Sequence, residues 1–194
     1  MERELKFHLP DKAAYDRLAE ALGTELKREL QINHYLDTPD GELSRSGKSM
    51  MRVRDRGTHY TTTFKCGIAM TEAYFESEEV QTQIPAQLAQ AMQTGDLPLE
   101  AQALAPIRRL FEVFGVQERL VPQGTMQNLR RTYHLSEHDV AELDETTFPD
   151  GSVDYELEVE TDEPGRVKSV LELLGFGDLA PQPKTKYARF LERR

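Results

Sequence analysis

Charged side chains two residues apart recur along this chain; the first run carries both signs and others carry one. Glu2, Glu4 and Lys6 stand in "MERELKFHL", Arg52 and Arg54 in "SMMRVRD", and Lys65 closes "TTTFK". Arg130 stands in "NLRRTY" and Asp144 in "ELDE"; Glu156, Glu158 and Glu160 follow in "YELEVE", and Lys184 and Lys186 in "KTKYARF". Clustered carboxylates are the usual oxygen donors for a hard divalent cation such as Mg²⁺ or Mn²⁺. Arginine and lysine bind phosphoryl oxygens, arginine through a planar fork. A site holding both sets suits a polyphosphate together with its metal, which are the parts that phosphoryl transfer uses.

Strands must position these groups, because side chains alternate across a strand and residues at spacing two share a face. Glu2 to Leu9 alternates and Pro10 ends it. Asp11 can cap a helix from Lys12 to Leu22 whose stripe is Tyr15, Leu18, Ala19 and Leu22, with Gly23 as its stop. "LKRELQINHYLDT" reads as a strand closed by the turn "TPDGE". "SMMRVRDRG" and "HYTTTFKCG" read as a hairpin turning at Arg56-Gly57-Thr58, and "AYFESEEVQTQI" as a further strand. From Pro85 to Gly115 the texture is helical, with helices in "AQLAQAMQ" and "EAQALAPIRRLFEVFG". Strand-like "ERLVPQG", "MQNLRRTYHLSE", "DVAELDETTF" and "VDYELEVET" follow. A helix starting at Pro164 then ends in Gly175, and "KTKYARFLE" reads as a last strand. About eight strands and a few helices give a mostly antiparallel α+β fold that could close into a barrel.

For any single strand, an apolar face on a core and a charged face in water is sufficient. The collection asks for more, since a solvated face mixes polar types without sign order. The alternative is a barrel with a polar lumen, its apolar strand faces turned outward under amphipathic helices. The lumen would then hold Glu2, Glu4, Asp144, Glu156, Glu158 and Glu160 against Lys6, Arg52, Arg54, Lys65, Arg130, Lys184 and Lys186. Buried charge on that scale is unfavourable unless paired or met by a ligand.

With 194 residues the chain suits one domain, residues 1–194, with 38% apolar and 30% charged residues. The formal net charge of -10 argues against nucleic acid or a membrane surface as partner, though not against a local basic pocket. The single cysteine, Cys66, fits a reducing compartment and an inert packing role. No apolar run approaches the roughly 20 residues that span a bilayer, and charges appear at once in place of a signal-peptide core. The expectation is a cytoplasmic protein, with a two-fold homodimer as the base-rate assembly. "GELSRSGKS" has five residues between Gly41 and Gly47 where a phosphate-cradling P-loop has four, and is rejected as one. His8, His34, His59, His134 and His138 lack zinc spacing. Tyr35 reads as barrel wall.

Taken in order, these segments resemble the CYTH superfamily, the triphosphate tunnel metalloenzymes. Glu2-Arg3-Glu4-Leu5-Lys6 is similar to the family's E-x-E-x-K signature, and "HYLDTPDGEL" to its aromatic-Asp-Thr stretch. "MMRVRD" is similar to its R-x-R strand and "TTTFK" to the strand ending in a phosphate-binding lysine. "NLRRTY" carries the later arginine, Arg130 or its neighbour Arg131. "ELDE" supplies Asp144, "YELEVE" a second E-x-E, and "KTKYARF" the C-terminal lysine strand. The resemblance covers nearly the whole chain. It implies an eight-stranded antiparallel β-barrel, a triphosphate tunnel covered by α-helices. Phosphate would be held by Lys6, Arg52, Arg54, Lys65, Arg130, Lys184 and Lys186. Mg²⁺ or Mn²⁺ would be held by Glu2, Glu4, Asp144, Glu156 and Glu158, with the choice among Glu156, Glu158 and Glu160 open. Glu2, Glu4 and Lys6 would be catalytic. The activity implied is metal-dependent hydrolysis of a triphosphate, inorganic tripolyphosphate first. A class IV adenylyl cyclase, a thiamine triphosphatase or a non-catalytic polyphosphate binder are the alternatives.

Overall fold

Eight long strands close on themselves. The structure is a computed structural model describing residues 1–194. In chain order the elements are β1 (Glu2–Leu9), α1 (Lys12–Leu22), β2 (Glu25–Asp37), α2 (Glu42–Ser46), β3 (Met50–Asp55), β4 (Tyr60–Thr71), β5 (Tyr74–Ile84), α3 (Ala86–Gln93), α4 (Leu99–Gln102) and α5 (Ala105–Phe114). After these come β6 (Val121–His134), β7 (Val140–Thr147), β8 (Val153–Glu160), α6 (Pro164–Leu173), β9 (Ala180–Pro181) and α7 (Lys186–Glu192). The strand order is β5-β4-β3-β2-β6-β7-β8-β1, and β1 pairs back onto β5 to complete an antiparallel barrel. The two-residue β9 pairs only with the end of β1.

Short-range chemistry sets the helix ends. The Asp11 side chain accepts from the Ala14 N–H at 2.7 Å and starts α1, and the Gly23 N–H bonds back to the Ala19 and Glu20 carbonyls to stop it. Asp37, fully buried, accepts from the backbone N–H groups of Thr38, Leu43 and Ser44 and pins α2 to the end of β2. The stretch read as one helix up to Gly115 is instead α4 and α5, broken before Pro106, which a helix interior does not accept.

The hydrophobic core lies outside the barrel, in two parts. Leu5, Phe7 and Leu9 of β1 pack under Tyr15 and Leu18 of α1 and Val167 and Leu171 of α6. Met51 and Val53 of β3 and Phe64 of β4 pack under Ala89 and Met92 of α3, Ala101 of α4, and Ile107 and Leu110 of α5. The alternate residues of these strands, the charged ones, therefore face the lumen. No helix is long and apolar enough to cross a membrane.

Two segments depart from the sequence reading. "ERLVPQG" and "MQNLRRTYHLSE" form the single strand β6, whose register against β2 shifts between Tyr35 and Leu36. "KTKYARFLE", expected as a strand, is helical from Lys186: Thr185 caps α7 by accepting from the Ala188 N–H at 3.0 Å. That helix forms one end of the lumen. Phe190, fully buried, packs 4.6 Å from the Tyr35 ring, centroid to centroid, and Tyr187 packs 4.9 Å from it, in a small cluster with Met50, Met126 and Phe148. Gly124 makes room for the helix. Its φ is +130°, and a Cβ there would stand 3.2 Å from Phe190.

Two outcomes follow from this packing. Phe190→Ala should destabilise the fold by about 3–5 kcal/mol in denaturant titration, the range for a buried aromatic truncated to alanine. Asp139, which accepts two hydrogen bonds from Arg166 of α6, is held at about 2 by that guanidinium against an ordinary value near 3.8, with burial opposing. A depressed carboxylate stabilises the fold above its unfolded value and stops doing so as pH falls through its folded one. Acid unfolding between about pH 4 and pH 2 should therefore be shallower in Asp139→Asn than in the parent chain.

Candidate active site

The lumen holds a cavity of about 260 Å³ lined by Glu2, Glu4, Glu79, Glu142, Glu158 and Glu160 and by Lys6, Arg52, Arg54, Arg56, Lys65, Arg130 and Lys186. Six carboxylates therefore face seven cations. The barrel's pairing explains how distant segments converge. Lys6 lies opposite Glu158, Glu158 opposite Glu142, and Arg130 opposite Asp144 across adjacent strands.

One part of the cavity wall is a dense ion-pair network. Lys6 bonds Glu158 and stands 3.0 Å from Glu4, with its Nζ 5.4 Å from the Phe75 ring centroid. Burial works against the Lys6 ammonium, but Glu158 and Glu4 outweigh it and hold its pKa above the ordinary lysine value. Burial likewise opposes ionisation of Glu4, but Lys6 and Lys65 win and lower it to about 2. Lys65 bonds Glu2 and stands 2.8 Å from Glu79, and the Ser77 hydroxyl donates to Glu2 at 3.0 Å. Arg130 makes a forked pair with Asp144, Nε at 2.8 Å and Nη2 at 2.6 Å, and also reaches Glu142 and Glu158. Lys186 of α7 stands 2.7 Å from Asp144 and 2.9 Å from Glu158, and bonds Glu156.

The opposite wall is cationic, and two of its arginines, Arg52 and Arg54, make no ion pair. Arg54 is 5% exposed, and its one hydrogen bond runs from Nε to the Asn33 Oδ1 at 2.7 Å. Burial and then the charges of Arg52, Arg130 and Arg56 push its pKa well below the ordinary arginine value. Arg52 makes no ion pair, and its buried Nε has no partner. Arg56 is tied to Glu29.

The expected metal ligands divide in two. Asp144, Glu156 and Glu158 bring carboxylate oxygens within 4.8 Å of one another. Asp144 and Glu156, however, are fully buried behind the cavity wall and already neutralised by Arg130, Lys186 and Arg189. Glu2, Glu4 and Glu158 reach the cavity, together with Glu142 and Glu160. Glu160 has no cationic partner. Burial and then the like charges of Glu2, Glu142 and Glu4 raise its pKa, while burial is the largest influence raising that of Glu142. A group of acidic oxygens crowded together with too few cations fits a hard divalent ion.

Of the expected phosphate ligands, Lys6, Arg52, Arg54, Lys65, Arg130 and Lys186 line the cavity. Lys184 does not: it lies on the surface, 2.6 Å from Glu192, because a helix start rather than a strand turns it away from Lys186. Arg131 is outside too, bonded to Glu25 and 5.8 Å from the Tyr15 ring centroid. Glu79, Glu142 and Arg56 were not anticipated. Each lies two residues from a recognised or inward-facing residue, Ser77, Asp144 and Arg54, and that spacing was the available signal.

No curated protein matches the chain. A Hippeastrum protein described as a candidate adenylyl cyclase with a dominant triphosphatase activity is 30% identical, with a TM-score of 0.89 over 99% of this chain and 96% of its own. A Bacillus halodurans protein described as a candidate adenylate cyclase is 22% identical, with a TM-score of 0.74 over 98% and 99%. The RNA triphosphatase domain of a mimivirus mRNA capping enzyme shares the fold at 10% identity, with a TM-score of 0.54 over 91% and 88%. The CYTH domain model matches residues 1–191, and the chain belongs to the CYTH family.

Proposed function

We propose that this protein is a metal-dependent triphosphatase whose first substrate is inorganic tripolyphosphate. The observation that carries the reading is the pair Arg52 and Arg54 on the cavity wall: Arg54 is buried, Arg52 has a buried Nε without a partner, and neither makes an ion pair with a carboxylate. Buried cations without counter-charge are unfavourable unless a ligand supplies it. Beside them stand carboxylates in excess of their local cations, which a phosphate alone would not need. Sites of both signs within one cavity favour a metal-bound polyphosphate over a plain anion.

In this reading Arg52 and Arg54 grip the phosphoryl groups that are not transferred. Lys6, Lys65, Arg130 and Lys186 neutralise the oxygens nearest the carboxylates. Glu2, Glu4 and Glu158, with Glu142 and Glu160 beside them, would hold Mg²⁺ or Mn²⁺, which supplies Lewis-acid charge neutralisation when bound. Water attacks the terminal phosphorus, the bridging P–O bond breaks, and pyrophosphate leaves with the electron pair; one proton of the water stays on the phosphate formed and the other goes to the leaving pyrophosphate. The side chains orient the chain of phosphates for in-line attack and offset the charge on the leaving oxygen. At about 260 Å³ the cavity falls below the roughly 300–1,000 Å³ of drug-sized ligand sites. Three of its apolar lining residues, Tyr35, Met50 and Tyr187, are engaged in the packing of α7. Both features favour a bare polyphosphate over a nucleotide with a base to seat.

Phosphate and pyrophosphate release from tripolyphosphate, ATP and thiamine triphosphate tests the proposal. The expected result is phosphate from tripolyphosphate with Mg²⁺ or Mn²⁺, abolished by chelation. Pyrophosphate and cyclic AMP from ATP would make it a cyclase instead. Glu4→Gln should lower kcat by about 100-fold or more, the scale of one lost transition-state interaction, while metal-free tripolyphosphate binding stays near the parent value. Full activity in Glu4→Gln would overturn the metal assignment. Arg54→Ala should weaken binding by about 10- to 150-fold, equivalent to about 1.5–3 kcal/mol for a hydrogen bond to a charged group.

A further inference from the structure

The inward-facing residues of β2, β6 and β7 form rungs across the barrel. One rung is charged: Glu29, Arg130 and Asp144 lie opposite one another on the three strands. The next rung, two residues along each strand, is neutral: Gln31, Asn128 and Thr146. All three are buried, and they bond among themselves. The Asn128 Nδ2 donates to Gln31 at 3.4 Å and the Thr146 hydroxyl donates to Asn128 at 2.8 Å. Two residues further along β2 stands Asn33, opposite Arg54 on β3. A neutral amide layer thus lies between the register of Arg54 and the charged rung of Glu29, Arg130 and Asp144.

Asn33, next to this layer, is the amide that touches Arg54. It is 1% exposed, its Oδ1 accepts from Arg54 Nε, and its Nδ2 is buried without a partner. The orientation is forced, because the Arg54 Nε–H can only donate and the amide must present its oxygen. An aspartate would occupy the same space. It would offer Arg54 a charge-assisted bond and leave no orphaned N–H. Fold stability alone favours aspartate here, so the amide points to a different requirement.

We propose that Asn33 is a positioning residue for triphosphate binding: its neutral carbonyl aims the Arg54 guanidinium into the cavity without cancelling the charge that the substrate must meet. This inference rests on the triphosphate reading above and adds to it a residue that touches no substrate. It also explains why the uncompensated arginines face one wall while the ion pairs crowd another. Along β2, β6 and β7 the amide layer puts no carboxylate beside Arg54, and Glu79 of β5, on the same cavity, is paired with Lys65.

The test is tripolyphosphate binding without metal, by calorimetry, beside thermal unfolding, for the parent chain, Asn33→Asp and Asn33→Ser. Asn33→Asp should unfold at the parent temperature or above it and yet bind at least about tenfold more weakly, the scale of one charge-assisted interaction. Asn33→Ser, which stays neutral, should lose stability and keep more affinity than Asn33→Asp. Asn33→Asp binding within about twofold of the parent would overturn the inference. So would equal losses of affinity in the two variants, which is what a purely structural side chain would give. If the parent chain itself binds no tripolyphosphate, the triphosphate reading falls first and this inference with it; a binding parent with an unaffected Asn33→Asp leaves that reading standing alone.

Discussion

A closed sheet separates two environments, and here the inner one is charged. Everything else in the structure follows from having to keep ionised groups in a space with little water. Isolated ions there are unfavourable by many kcal/mol, and only close partners or a ligand make them tolerable. The apolar residues of the strands cannot also face inward, so they face outward, and two groups of helices cover them: α1 with α6 on one side, α3 to α5 on another. The fold is an ordinary alternating sheet turned so that its dry side is the outside.

Inside, the charges are not mixed evenly. Lys6, Lys65, Arg130 and Lys186 are saturated with carboxylates, whereas Arg52 and Arg54 have none. Such an arrangement is less stable than one in which every arginine had its acid. It is the separation expected of a site that binds a ligand carrying both signs, a polyanion with its cation. Saturated lysines hold their geometry before the ligand arrives, and the unsaturated wall supplies the driving force for its arrival.

Much of this was legible in the sequence because strands write their two faces with a period of two. The E-x-E-x-K, R-x-R and E-V-E runs give both the barrel and which side chains share its interior. Counts of six acids and seven bases survive, yet three members change. Glu79 and Glu142 take the places of Asp144 and Glu156, and Arg56 that of Lys184. Alternation tells which face a residue is on, not how deep it lies along a tilted barrel. Asp144 and Glu156 face inward but sit behind the wall, where cations reach them and the cavity does not. The last segment was misread for a different reason. Lys184, Lys186 and the apolar residues between mimic alternation over a few positions, while the Thr185 cap that starts a helix is a weaker signal than a lysine pattern. Its tertiary seat, the space above Gly124, is written on another strand altogether.

That seat has a bearing on how the interior is neutralised. Lys186 and Arg189 belong to the final helix, and they neutralise Asp144 and Glu156 from β7 and β8. The eight strands by themselves leave Glu156 without a cation and Asp144 with Arg130 alone. The barrel interior is therefore completed from outside the sheet: a helix that belongs to no strand supplies the charge its deepest carboxylates require.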